Sequence, residues 1–164
     1  MRRARAALLV VGGLGLLTGC QPLPLPLVAV YLDGQGVPQA LVRTCDEDGR
    51  VLGPYLEATE QSVGRGDAWP EGPWDGWQAK GKWHAADFPL FTPPADWAVT
   101  TQGHLEYRPG LTYRFSVADP EDYAWSSRVT FGAAELTALQ PGQVLTDDGA
   151  VPREQFEEEA RKSC

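Results

Sequence analysis

The sequence predicts a mainly β domain, an antiparallel sandwich or a small barrel, carrying a C-terminal α-helix. Three observations point there. Leu111, Tyr113, Phe115 and Val117 alternate with Thr112, Arg114 and Ser116, and Trp125, Ser127, Val129 and Phe131 alternate with Ser126, Arg128 and Thr130. A period of two belongs to strands with one buried face. Short apolar runs at 27–32, 39–45 and 51–56 are separated by the turn sequences Asp33-Gly34-Gln35-Gly36 and Asp46-Glu47-Asp48-Gly49, the spacing of consecutive short strands. From Pro152 to Lys162 the pattern becomes helical, with Phe156, Ala160 and Cys164 recurring every four residues. The chain has 164 residues, 43% of them hydrophobic and 22% charged, which suits one compact domain of ordinary globular character.

Residues 1–19 stand apart from that domain. Arg2, Arg3 and Arg5 form a positive start, and Ala6 to Leu17 is uncharged and built only of Ala, Leu, Val and Gly, the layout of a signal peptide. A helix of that length spans about 18 Å, short of the roughly 30 Å hydrocarbon core of a bilayer, so a permanent transmembrane helix is not expected. The run ends in Leu17-Thr18-Gly19-Cys20, which resembles the lipobox of bacterial lipoproteins at all four positions. The resemblance implies a diacylglyceryl group on the Cys20 thiol and cleavage between Gly19 and Cys20. It also implies a protein held at the extracytoplasmic face of the cell membrane, and two acyl chains on one residue give stable anchoring where one does not. An ordinary secretory signal containing a cysteine is the alternative, and Arg2-Arg3 leaves the twin-arginine route open beside general export.

Gln21-Pro22-Leu23-Pro24-Leu25-Pro26 follows. Its alternating prolines fix φ and disfavour helix in the residues before them, so 20–26 reads either as an extended tether or as an edge segment of the domain. The globular part is then 27–164. The acidic turn at 46–49 invites comparison with a calcium loop, but the first and twelfth ligand positions would be Thr44 and Tyr55, and a polar hairpin turn is the expectation.

Asp119-Pro120-Glu121-Asp122 supplies the turn between the two alternating strands, and Ala133 to Leu139 is a helical turn ended by Pro141-Gly142. The last helix has proline in its first turn, Glu154 near its start, and Arg161 and Lys162 near its end. Glu157–Arg161 and Glu158–Lys162 are i,i+4 pairs. With Cys20 lipidated, Cys45 and Cys164 remain, and in an exported protein they allow one pairing; two free thiols or an intermolecular bridge are the alternatives. Phe131, Leu136, Leu139, Pro141, Gly142, Val144, Phe156 and Cys164 together resemble small uncharacterised lipoproteins of high-GC Gram-positive bacteria, a likeness that covers about the last forty residues and implies no activity.

Charge narrows the function. The chain carries 14 basic and 22 acidic residues, and removing 1–19 leaves 11 basic ones and a net charge of −11. Such a surface repels phosphate backbones, so no nucleic-acid partner is expected. Asparagine and isoleucine are absent, which also removes any N-glycosylation site.

Five of the six tryptophans lie between Trp69 and Trp97, with Phe88, Phe91 and five prolines. Two roles are open for these rings: filling the core beneath a loop poor in regular structure, or forming an aromatic platform for sugars or peptides, with Trp74, Trp77 and Trp83 as its candidates. His84 and His104 lack the converging ligands of a zinc site, and His84 with Asp87 reads as a surface pair. No serine lies in a Gly-x-Ser-x-Gly elbow and no phosphate-binding glycine motif occurs. The expectation is a lipid-anchored, non-enzymatic envelope domain without cofactor or metal, with a carbohydrate- or peptidoglycan-binding module and a small envelope hydrolase as the rivals.

Overall fold

In the computed structural model, Tyr113, Phe115 and Val117 are buried on one face of a central strand while Arg114 and Ser116 occupy the other. The structure describes residues 27–44, 52–81, 83–118 and 125–163. In chain order the elements are β1 (Leu27–Leu32), β2 (Pro38–Arg43), β3 (Leu52–Thr59), β4 (Asp75–Lys80), β5 (Ala86–Pro89), β6 (Ala98–Gln102), β7 (Thr112–Ala118), β8 (Trp125–Phe131), α1 (Ala133–Thr137), β9 (Gln143–Thr146), β10 (Gly149–Pro152) and α2 (Arg153–Ser163). They form two five-stranded antiparallel sheets, ordered β10-β9-β1-β2-β5 and β6-β4-β3-β7-β8. The expected mainly β sandwich with a C-terminal helix is present.

The first sheet is buried on both faces at its strands β1 and β2. Val28, Val30, Ala40 and Val42 point into the main core against Leu56, Trp77, Phe115 and Val129 of the second sheet. Ala29 and Leu41 point the other way and pack with Val144 under Phe156 of α2. That is why 27–32 and 40–42 read as continuous apolar runs rather than alternating ones. At the turn between β1 and β2, Asp33 Oδ1 accepts the N–H groups of Gln35 (2.8 Å) and Val37 (2.9 Å), the usual way an aspartate closes its own turn.

Five strands lie outside the sequence expectation: β4, β5, β6, β9 and β10. The stretch from Trp69 to Trp97, expected to be poor in regular structure, contains β4 and β5, and β6 follows it directly. Asp75-Gly76 resembles a turn, yet it opens β4. There Gly76 has φ +145, and a Cβ at that position would lie 1.9 Å from the Leu56 carbonyl oxygen. Only glycine permits so close an approach between β3 and β4. Strand β6 is mostly exposed, so it has no apolar face to reveal it in the sequence.

Helix α2 starts at Arg153 rather than at Pro152, which closes β10, and Phe156 and Ala160 are buried on it. Glu158 pairs with Lys162 at 2.7 Å. The expected Glu157–Arg161 pair is corrected: Glu157 turns toward the sheet, accepting from Arg43 Nη2 at 2.6 Å and from Arg43 Nε at 2.8 Å. Arg43 Nη1 also meets Asp87 at 2.7 Å, and Arg153 bridges Asp87 while its guanidinium lies 5.0 Å from the Tyr31 ring centroid. A bidentate arginine in a half-buried seam outcompetes an exposed i,i+4 partner.

The Arg43 hydrogen bond holds the Glu157 carboxyl below its ordinary pKa. A depressed carboxylate contributes stability above its unfolded pKa and loses it as pH falls through the folded value. Urea unfolding between pH 7 and pH 3 should show Glu157→Gln less stable at pH 7 by about 1–2 kcal/mol and with a shallower acid slope. Parallel pH curves for the two proteins would contradict this.

Candidate functional site

Two tryptophans flank a Pro-Glu-Gly-Pro turn in Trp69-Pro70-Glu71-Gly72-Pro73-Trp74. Proline has no N–H for a ladder, so the segment does not extend β4 backwards; it passes over the second sheet as a loop, with Gly72 at φ +144. All six residues line a groove of about 390 Å³, together with Glu57, Ala58, Thr59 and Gln61. That size is typical of ligand sites.

The groove is braced from beneath. Arg114, buried on the outer face of β7, places its guanidinium 4.5 Å from the Trp69 ring centroid. Its Nε (3.0 Å) and Nη2 (2.5 Å) both donate to Oε2 of Glu57, the residue opposite it on β3. A cation desolvated beneath an indole is a strong form of this contact. One face of the half-buried Trp69 ring is therefore taken by Arg114, and Trp69 also lines the groove. Trp74 is also half-buried, and among the described residues it makes no ring contact and no hydrogen bond.

The other two rings expected in an aromatic platform belong elsewhere. Trp77 is 0% and Trp83 2% exposed. Trp77 packs at 5.9 Å from Phe88 and from Phe115, and donates its indole N–H to the Leu90 carbonyl at 2.8 Å. Trp83 lies 6.1 Å from Trp97, which in turn lies 5.2 Å from Phe88. These two rings fill the core and present no face to a ligand, which leaves Trp74 as the one candidate of the three at a groove. Trp69 was missed. The prolines beside Trp69 and Trp74 were the available signal, because they keep both rings out of the inward alternation that buries Trp77.

A smaller cavity of about 210 Å³ begins at Ser62, the residue after Gln61 of the groove. Ser62, Thr112, Thr130 and Thr146 line it together with Arg65, Glu135 and Asp147. Glu135 is engaged there, accepting the Gly132 N–H at 2.8 Å at the start of α1.

The histidines occupy other places. His84 lies 3.7 Å from Asp96 and 3.4 Å from the Trp97 indole nitrogen. The expected His84–Asp87 pair is absent, since Asp87 serves Arg43 and Arg153. His104 lies 3.5 Å from Asp75, which Arg108 holds at 2.5 Å. Among the described residues no three His, Cys, Asp or Glu side chains converge as a metal site, and no helix is long and apolar enough to cross a membrane. Cys20, Cys45, Cys164 and the acidic turn at 46–49 lie outside the described residues. No protein-family model, no curated protein and no solved structure matches the chain, so the groove's own chemistry has to indicate what it binds.

Proposed function

We propose that the chain is an exported lipoprotein, anchored through a diacylglyceryl group on Cys20, whose β-sandwich is a non-enzymatic binding domain at the extracytoplasmic face of the cell membrane. One observation carries the binding role: the braced aromatic groove lies on the far layer from β1 and toward the far end of the sandwich. Leu27 opens β1. Next to it, the Val28 N–H donates to Ser127 Oγ at 3.1 Å, and Ser127 pairs with Val117. The groove lies toward the opposite end of β7, where Thr59 pairs with Thr112 and Glu57 with Arg114. Thr112 and Val117 are about 17 Å apart along an extended strand. The groove therefore lies away from Leu27, the side on which a tether through 20–26 would join the domain.

Cys20→Ala tests the anchor. The expected result is loss of the chain from the membrane fraction, or accumulation of the unprocessed precursor. In the wild type, intact mass should equal residues 20–164 plus the diacylglyceryl group, with two thiols labelled only after reduction if Cys45 and Cys164 pair. Unchanged processing and membrane retention of Cys20→Ala would overturn the anchor.

A further inference from the structure

We infer that the groove between Trp69 and Trp74 binds a neutral oligosaccharide, stacking sugar rings on the two indoles and hydrogen-bonding their hydroxyls through Glu57, Gln61 and Glu71. The inference rests on the reading of the sandwich as a binding domain and adds the ligand class.

Four observations select that class. First, the groove presents flat apolar rings next to polar groups, and the axial C–H face of a pyranose with its equatorial hydroxyls matches that combination. Trp69 is already immobilised by Arg114 at 4.5 Å, so little ordering cost remains when a ligand stacks on it.

Second, the polar lining is rich in acceptors. Arg114 Nε and Nη2 both donate to Glu57 Oε2, and the Glu57 carboxylate also lines the groove as an acceptor. Glu71 adds a second carboxylate and Gln61 a side-chain amide that both donates and accepts. Sugar hydroxyls supply the donors such a lining needs. A polyproline peptide offers carbonyl acceptors and no N–H at its prolines.

Third, anionic ligands are disfavoured. The cation nearest the groove, Arg114, is neutralised by Glu57, and the whole chain carries a net charge of −8. Fourth, a cationic ligand gains less here than over a free indole. The inner face of Trp69 already carries a guanidinium, whose charge opposes a second cation across the same ring. An uncharged, hydroxyl-rich ligand satisfies all four.

The test is isothermal titration calorimetry on the full chain extracted from membranes in detergent. The probes are tetra-N-acetylchitotetraose, cellotetraose, maltotetraose and mannotetraose, with decaproline as the peptide comparison. At least one tetrasaccharide should bind saturably. Trp74→Ala should weaken that binding at least tenfold, whereas Trp69→Phe, which keeps a flat ring over Arg114, should stay within about threefold. Trp74 makes no ring contact among the described residues, so the near-ultraviolet circular dichroism of the buried tryptophans should be unchanged in Trp74→Ala, separating lost binding from lost fold. Absence of binding by all four tetrasaccharides at millimolar concentration would overturn the inference. So would saccharide binding indifferent to Trp74, or Trp74-dependent binding of decaproline alone. The anchor is read separately by membrane fractionation of Cys20→Ala, so either proposal can fail without the other.

Discussion

Trp77→Ala should lower the unfolding free energy by about 4 kcal/mol, the cost of deleting a buried large aromatic side chain and leaving a cavity behind. Trp77 is fully buried in β4 of the second sheet, and its neighbours come from both layers. Phe88 of β5 lies 5.9 Å away across the core, and Phe115 lies 5.9 Å away within the second sheet. Truncation also orphans the Leu90 carbonyl, which receives the indole N–H at 2.8 Å. Domains of this size have about 5–15 kcal/mol in total, so the variant should unfold at a much lower urea concentration. Trp77→Phe retains a ring and should lose roughly half as much. Equilibrium urea denaturation reads both, and a loss under about 1 kcal/mol for Trp77→Ala would mean that this ring does not hold the sheets together.

Phe156→Ala is expected to have the second largest effect, and a more local one. Phe156 is the side chain that inserts from α2 between Ala29, Leu41 and Val144, on the face of the first sheet away from the main core. The helix contributes only Phe156 and Ala160 as buried residues, so its docking depends on one aromatic anchor and on the ion pairs of Glu157 with Arg43 and of Arg153 with Asp87. Removing the anchor should cost α2 about 3 kcal/mol, which corresponds to roughly a hundredfold faster amide exchange along the helix. The β7 amides, protected by the core between the sheets, should change far less. Hydrogen exchange followed by mass spectrometry separates the two regions, and an equal loss of protection in α2 and β7 would show that helix and sandwich open as one unit.

Where the chain alternates or runs apolar without interruption, the sequence was sufficient to locate structure. The alternation through Leu111–Val117 and Trp125–Phe131 became β7 and β8, and the continuous run at 27–32 became a strand covered on both faces. Helix α2 was legible from the proline before it and from the four-residue spacing of Phe156 and Ala160. Strands β5, β9 and β10 are only four residues long, and β6 is mostly exposed. Too few of their side chains are buried to leave a period; β5 pairs with the distant β2 and β9 with the distant β1, whereas β9 and β10 form a local hairpin with each other.

The candidate site divides the same way. Composition singled out the tryptophan-rich stretch, but a tryptophan is apolar enough for a core and flat enough for a ligand. Nothing local distinguishes the two uses. Strand β4 decides by turning Trp77 inward, while the prolines beside Trp69 and Trp74 hold those residues in a loop. The partner that braces Trp69 is Arg114, paired across the sheet with Glu57, and no spacing in the chain announces that contact.

By itself, then, the sequence determined the fold class, the long strands, the last helix and the net negative charge. Those are properties of neighbouring residues and of summed charge. Only the tertiary structure decided which tryptophans are core and which face a groove, and that Glu157 serves Arg43 rather than Arg161. Each of these depends on which residues distant in the chain are brought within a few ångströms of one another, and strand pairing sets that.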